Sequence, residues 1–529
     1  MIDVPHQFLY TTGEIRQIEA AHAKKHPKTS LMRRAGASVA KLAISLTTRK
    51  KVAAILVLVG PGNNGGDAWV AAVALKKAGK RVTVLALGDQ KFADNAASTA
   101  HAEFKRAKGD IRETFPDDES FDLIIDGLFG IGLARAPAGA FAAAITRANA
   151  LRRKHRDDKS VAQILSIDVP SGLASDTGIA LGDTIVADYT LTFLGLKPGL
   201  YTAQGKDFAG DVQLDMLGVS AIGICSGELL TADSVRDLIP ARRHHSHKGS
   251  FGSVGIIGAA EGMVGAGVLA ARAALYMGPG KVFLGVAAKD IPAFDPLNPE
   301  VMVRKADELV ADESLTAIAI GMGLGVDKSA PRLLSAVLAR KLPTVLDADA
   351  LNLIASTPGF AAALGVNVEN TSTGGPSQAE NPQTPHQSST FVLTPHPGEA
   401  ARLLNVSIAH LQADRVTAAI ALAKRFNAVV VLKGAGTVVA ASDGRYFINT
   451  SGNPGMASGG MGDALSGMIV AFLAQGLAAL DAAKLAVYLH GAAADACFAH
   501  GMAPLGLTAS EVIFEARMLL NAGLEHPEH

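Results

Sequence analysis

Val52-Ala53-Ala54-Ile55-Leu56-Val57-Leu58-Val59-Gly60 runs directly into Pro61-Gly62-Asn63-Asn64-Gly65-Gly66-Asp67. An unbroken apolar run rich in valine reads as a strand covered on both faces, which is how strands of parallel sheets sit between layers of helix. The glycines and proline after it turn the chain, and a helix is expected over 68–78. Strand, glycine turn, helix then repeats, with strands expected over Arg81–Leu87, Phe121–Asp126, Val161–Asp168 and Thr184–Phe193, and a last one within 210–219. That alternation predicts a doubly wound α/β sandwich, a fold that binds ligands at the carboxyl ends of its strands. Upstream, Ile15, Ile18, Leu31, Met32, Ala35, Val39 and Leu42 recur at helical intervals, so 11–46 is expected as helix packed outside the sheet.

Composition sets the limits. A chain of 529 residues is too long for one core and predicts two large domains or several small ones. Lys and Arg total 49, matching 49 Asp and Glu, so no basic stripe invites nucleic acid and none is expected as a partner. Residues 1–25 lack an apolar signal core and no clean apolar run of eighteen appears, so neither membrane contact nor export is expected and the cytoplasm is the expected location. The two cysteines, Cys225 and Cys497, have no motif spacing and read as buried or idle thiols in a reducing compartment.

Three polar clusters fall at expected strand ends: Asn63 to Asp67, Asp126-Gly127-Leu128-Phe129-Gly130-Ile131-Gly132-Leu133, and Asp168-Val169-Pro170-Ser171-Gly172. Any one of them is ordinary chain reversal; three at one sheet edge are harder to dismiss. Their amide, carboxylate and hydroxyl oxygens also suit a hard monovalent or divalent cation. On these three motifs, residues 1–225 resemble the YjeF N-terminal family of NAD(P)H-hydrate epimerases, with Ala68 where that family has a further glycine, a Cβ expected to narrow the pocket slightly. The resemblance implies a Rossmann-like three-layer domain holding a potassium ion on Asn64, Asp126 and Ser171. It implies a nicotinamide hydrate contacted by Asn63, Asn64, Gly65, Gly66, Asp67, Gly130, Ile131, Gly132, Leu133 and Asp168. Asp168 is the candidate acid/base, and Lys197 a second candidate that could equally be a solvated turn lysine.

Past a boundary near 225, a short helix is expected over Glu228–Pro240, then Arg242-Arg243-His244-His245-Ser246-His247-Lys248-Gly249. Sequence-adjacent histidines do not easily converge on one ion, so this reads as an exposed loop. Strands are expected over Ser253–Gly258, Lys281–Val286, Ala317–Gly321, Thr344–Asp347, Phe391–Thr394 and Val429–Leu432, with a hairpin at Gly444-Arg445 and a helix over Val268–Met277. The Asn-, Ser-, Gln- and Pro-rich stretch 366–389 reads as a polar insertion. Lys433-Gly434-Ala435-Gly436-Thr437 places backbone N–H groups and a cation at a strand end, as a phosphate requires, although a β-bulge gives the same letters. Gly452-Asn453-Pro454-Gly455-Met456-Ala457-Ser458-Gly459-Gly460-Met461-Gly462-Asp463 opens a buried helix, where free N–H groups and the dipole favour phosphate. Asp463 there is either an N-cap or a base beside a phosphoryl acceptor.

The sequence of His247–Gly252, Gly262–Ala266, Gly321–Gly325, Asp347–Asn352, Leu393–Glu399, Lys433–Thr437 and Gly452–Asp463 resembles the ribokinase-like superfamily, and within it the ADP-dependent NAD(P)H-hydrate dehydratases. Met322 replaces a usual proline and Ser458 a usual threonine. The resemblance implies a ribokinase-like three-layer domain over 229–529, with Asp463 as catalytic base. ADP would be the co-substrate on Lys433, Gly434, Ala435, Gly436, Thr437 and Gly462, and the hydrate would touch Ala266, Gly323 and His396. Magnesium is expected, with the Asp347 region and Glu399 as loosely placed candidates. Acting together, the halves would repair NADHX and NADPHX, and a homo-oligomer is expected from the family. The alternative is a ribokinase-like small-molecule kinase fused to a nucleotide-binding module.

Overall fold

The computed structural model of the chain describes residues 7–50, 52–90, 95–116, 119–154, 162–219, 225, 227–290, 293–364 and 390–524. The polar stretch 366–389 lies outside the described residues. Two compact units divide the chain, Met1–Glu228 and Leu229–His529.

In the first unit, β1 (Phe8–Leu9) pairs antiparallel with the start of β9 (Gly227–Leu230). The main sheet is built from β2 (Ala54–Val59), β3 (Arg81–Ala86), β4 (Asp110–Arg112), β5 (Leu123–Gly127), β6 (Gln163–Ile167), β7 (Tyr189–Phe193) and β8 (Asp211–Asp215). These run parallel in the order β4-β3-β2-β5-β6-β7-β8. Side chains alternate between two cores, as strand geometry demands. Ile55, Val57 and Val59 pack with Val39, Trp69 and Phe104, while Leu56 and Leu58 pack with Ala144, Ile145 and Ala148 on the opposite face.

The second unit places β10 (Ser253–Gly258), β11 (Lys281–Val286), β12 (Val301–Lys305), β13 (Ala317–Ile320), β14 (Thr344–Leu346), β15 (Phe391–Leu393), β16 (Val429–Leu432), β17 (Val438–Ala440) and β18 (Tyr446–Asn449) in one sheet. From β18 the order is β17-β16-β15-β14-β13-β10-β11-β12. From β16 through to β12 the pairs are parallel. The hairpin β17–β18 is joined antiparallel to β16, and β9 lies beyond β18. One face carries the core shared by Val254, Ile256, Val345 and Val431 with helices Val264–Tyr276, Met461–Ala474, Ala479–Ala499 and Ala509–Asn521. The other is covered by Ala306–Val310, Ser329–Ala339 and Arg415–Phe426. Both units are therefore doubly wound α/β sandwiches, as the alternation predicts.

Several expectations need correction. The helical pattern over 11–46 is two helices, Thr12–Lys25 and Leu31–Leu46, with Pro27 between them. Proline lacks the N–H that would continue the first, and Ser30 caps the second. The helix after β2 starts at Asn63 rather than 68, so Asn63 to Asp67 form its first turn. Glu228–Pro240 is the strand β9 followed by a short helix, Ala232–Arg236, capped by Thr231. Strands β4 and β12 have no counterpart in the expectation; both are short edge strands with mostly uncovered side chains, and such strands leave no apolar run. His244, His245 and His247 lie in an exposed loop, and among the described residues no group of three or more His, Cys, Asp or Glu could hold a metal. No helix of the described residues is long and apolar enough to cross a membrane.

Candidate active sites

The carboxyl ends of β2, β5 and β6, neighbours in the sheet, open onto a cavity of about 1220 Å³. Asn63, Asn64, Asp67, Gly130, Ile131, Gly132, Leu133 and Asp168 all line it. Gly65 and Gly66 do not. A Cβ on Gly65 would strike the Gly60 carbonyl and one on Gly66 the Met32 side chain, so these glycines let the helix approach β2 and Leu31–Leu46. Ala68 is equally remote from the ligand space: it is fully buried with its Cβ against Gly127, and it does not narrow the pocket.

Beneath the cavity, Asn64 and Ser171 meet at one backbone carbonyl, and Asp126 joins them through Ser171. Asn64 Nδ2 donates to the Phe129 oxygen at 2.9 Å, and Ser171 Oγ lies 3.2 Å from the same oxygen. Asp126 is fully buried, and burial pushes its carboxyl pKa up. Against that, Ser171 Oγ donates to it at 2.6 Å, the Ser171 backbone N–H at 2.8 Å and Ser166 Oγ at 2.9 Å. Carboxylate, hydroxyl, amide and carbonyl oxygens are hard donors of the kind a monovalent cation takes, although Asp126 is already engaged by Ser166, Ser171 and the Leu128 N–H.

Asp168 begins the loop after β6 with φ of +65°, a conformation costly for a residue with a Cβ and held only by its surroundings. Lys197 is fully buried under it, which excludes the solvated-lysine reading. Its Nζ donates to Asp168 Oδ1 at 2.5 Å, Thr192 Oγ1 at 2.8 Å and the Phe193 carbonyl at 2.7 Å, using all three donors. Thr192 Oγ1 and the Phe193 N–H also donate to Oδ1, at 3.1 and 3.2 Å.

In the second unit, Gly460 is the N-cap of the buried helix Met461–Ala474, with φ of +89° and no side-chain cap. Asp463 is thus in the first turn, not the cap. Its pKa is raised to about 7, by burial first and then by the charge of Asp347, with Lys433 opposing and Asp349 adding. Lys433 Nζ donates to Asp347 Oδ1 at 2.8 Å, and Ser466 Oγ, from the same helix as Asp463, donates to Asp347 Oδ2 at 2.7 Å. A Cβ on Gly462 would sit 3.2 Å from Lys433 Nζ, so the glycine helix start and the lysine loop converge. Gly434 and Gly436 of that loop both have positive φ. Ala266 and Gly323 also meet: a Cβ on Gly323 would lie 3.2 Å from that of Ala266. His396 caps the helix Pro397–Leu404 through Nδ1, and its pKa is lowered by burial and by Lys433. The magnesium candidates are already engaged. Asp347 gives both oxygens to Lys433 and Ser466, and Glu399 accepts the His396 N–H at 2.8 Å, so the residues do not form a protein cage for that ion.

Residues 28–199 match the family described as YjeF-related protein N-terminus, and residues 254–366 and 376–515 match the one described as NAD(P)H-hydrate dehydratase. The bifunctional NAD(P)H-hydrate repair enzyme Nnr of Escherichia coli K12 is 36% identical, over 100% of this chain and 96% of its own length. The chain belongs to the bifunctional NAD(P)H-hydrate repair enzyme family. Its Coxiella burnetii counterpart is 35% identical, over 97% of this chain and 99% of that protein. A solved ADP/ATP-dependent NAD(P)H-hydrate dehydratase from Bacillus subtilis is 29% identical, over 56% of this chain and 98% of that one, at a TM-score of 0.45.

Two site residues of this repair-family chain escape sequence reasoning. Glu19 lines the first cavity, yet in an amphipathic helix it reads as one more solvent-facing charge. Arg415 is buried at a helix start and donates to the carbonyls of Leu432 and Lys433, each at 3.2 Å, bracing the lysine loop from behind. Burial lowers its pKa to about 10. Neither lies in a motif, and only the tertiary contact gives either a role.

Proposed function

We propose that the chain repairs hydrated NADH and NADPH in two steps, residues 1–225 interconverting the R and S hydrates and residues 229–529 dehydrating the S epimer with conversion of ADP to AMP and phosphate. The observation that carries this reading is the convergence of Asp463, Lys433 and Gly462 at one helix start, with the Asp463 pKa raised to about 7. The C6 hydroxyl of the hydrate is a poor leaving group. Asp463 takes its proton, the oxygen attacks the β-phosphorus of ADP, and AMP departs. Loss of phosphate from C6 with a proton from C5 then restores the ring double bond. Lys433, the loop to Thr437 and the N–H groups around Gly462 hold the migrating negative charge. Magnesium would travel with the nucleotide phosphates.

In the first unit, Asn64, Asp126 and Ser171 would hold potassium, which supplies fixed positive charge beneath the substrate. Asp168 acts on the hydrate as acid/base while Lys197 keeps it oriented. A cytoplasmic location and a homo-oligomer accompany this reading. The test is incubation of mixed hydrate epimers with ADP and then ATP while absorbance at the nicotinamide band is followed. Recovery of absorbance with free phosphate is expected; a stable phosphorylated product without recovered absorbance would sink the proposal in favour of a small-molecule kinase.

A further inference from the structure

Three carboxyl groups line the first cavity, those of Glu19, Asp67 and Asp168, and Asp168 and Glu19 are held very differently. Asp168 Oδ1 takes the Lys197 ammonium, a threonine hydroxyl and a backbone N–H, all from below. Glu19 comes from the helix Thr12–Lys25, and it makes no hydrogen bond to the described residues. Its helix is fixed beside the Lys197 segment. The Tyr10 N–H donates to the Leu196 carbonyl at 2.8 Å, and Thr12 N and Oγ1 both donate to Asp176 Oδ1 at 2.8 Å. Ile15 and Ile18 are buried, and Arg16, Glu19 and His22 of the same helix line the cavity with Ile15. These fixed contacts bring a carboxyl that no hydrogen bond of the described residues commits into the cavity.

The geometry points to Glu19 as the general acid of the epimerisation, partner to Asp168 as base in the same cavity. The inference rests on the epimerase reading of residues 1–225. Burial first, and the charge on Asp168 second, raise the Glu19 pKa, with Lys197 and Arg16 opposing. The rise favours the protonated form of Glu19, as a general acid requires, while the Lys197 ammonium holds Asp168 in place. The Glu19 carboxyl gives its proton to the C6 hydroxyl. The C6–O bond breaks with both electrons leaving on water, and the ring N1 lone pair closes a C6=N1 double bond. Water then adds to the other face of C6, the pair returns to N1, and the spare proton goes to Asp168. Exchange with solvent returns that proton to Glu19, and the sequence runs equally well backwards.

The full chain, supplied with the pure R hydrate and no ADP, is followed by NMR for appearance of the S hydrate across pH. Glu19→Gln is expected to slow interconversion by about 100-fold or more, the usual worth of a positioned acid. The wild-type rate is expected to fall on the alkaline side as Glu19 ionises, and this limb to vanish in the variant. Arg16, His22, Asp67, Arg135 and Asp168 share the cavity and Lys197 lies beneath it, so all of them remain in the variant and cannot supply the missing limb. A Glu19→Gln chain with wild-type rate and profile overturns the role of Glu19 alone, whereas a wild type that leaves the R hydrate unchanged overturns the epimerase reading with it. Should the variant melt earlier than wild type, Glu19→Asp decides: a displaced alkaline limb supports the assignment and an identical one overturns it.

Discussion

Asp463 stands in the first turn of its helix, with its pKa raised to about 7, and both its chemistry and its cost follow from that. As a base it works when ionised, so dehydration is expected to rise with pH through about 7 and then level off. Asp463→Asn should reduce dehydration by about 10²- to 10⁴-fold with nucleotide affinity nearly intact. Losing both together would make Asp463 a structural residue. Stability runs the other way. An unfolded aspartate ionises near pH ~3.9, so between there and neutrality the fold keeps a proton that the unfolded chain has lost. Stability present at acid pH is therefore lost as pH rises through the folded value. Melting of Asp463→Asn is expected to match wild type near pH ~4 and to exceed it at pH ~8, the mark of a site strained for function. At this scale the sequence offers Asp463 and Asp168 as candidates because glycines and a strand end announce them. Lys197 was ambiguous because a turn lysine and a buried one have the same letters around them.

Strands were legible almost to the residue where the apolar run was continuous, as in Ser253–Gly258 and Lys281–Val286, because burial on both faces leaves no other reading. Helix starts were not. Glycines before an apolar run were read as turn, yet Gly65 and Gly66 lie inside a helix, chosen for closeness to β2 and to Leu31–Leu46. Gly65→Ala, which a helix propensity scale would favour, is instead expected to destabilise the first unit by roughly 1–3 kcal/mol through collision with the Gly60 carbonyl. Chemical denaturation measures this directly, and an unchanged midpoint would mean that the helix is free to shift. In the lysine loop, Arg415→Met should raise the KM for ADP about tenfold while lowering kcat less. It removes the donors that hold the Leu432 and Lys433 carbonyls, and an unsatisfied buried carbonyl costs roughly 1–3 kcal/mol. Equal losses in both constants would argue that Arg415 positions the reacting atoms themselves.

At the scale of the molecule, the alternation of strands and helices announced two doubly wound sheets, but it could not announce their order. Order depends on which edge each crossover takes, and on edge strands such as β4 and β12 that are too short and too wet to leave a pattern. What each sheet carries is a separate core and separate chemistry. The cavity with Asp168 is lined entirely from the first unit, and the groups around Asp463 come entirely from the second. If the two reactions are complete in their own units, a fragment of residues 229–529 given mixed hydrates and ADP should recover absorbance only until the S hydrate is spent, and then slow to the rate at which the epimers interconvert unaided. Adding residues 1–228 as a second fragment should carry recovery to completion. Full recovery by 229–529 alone would show that the second unit accepts both epimers and that the first unit serves another purpose.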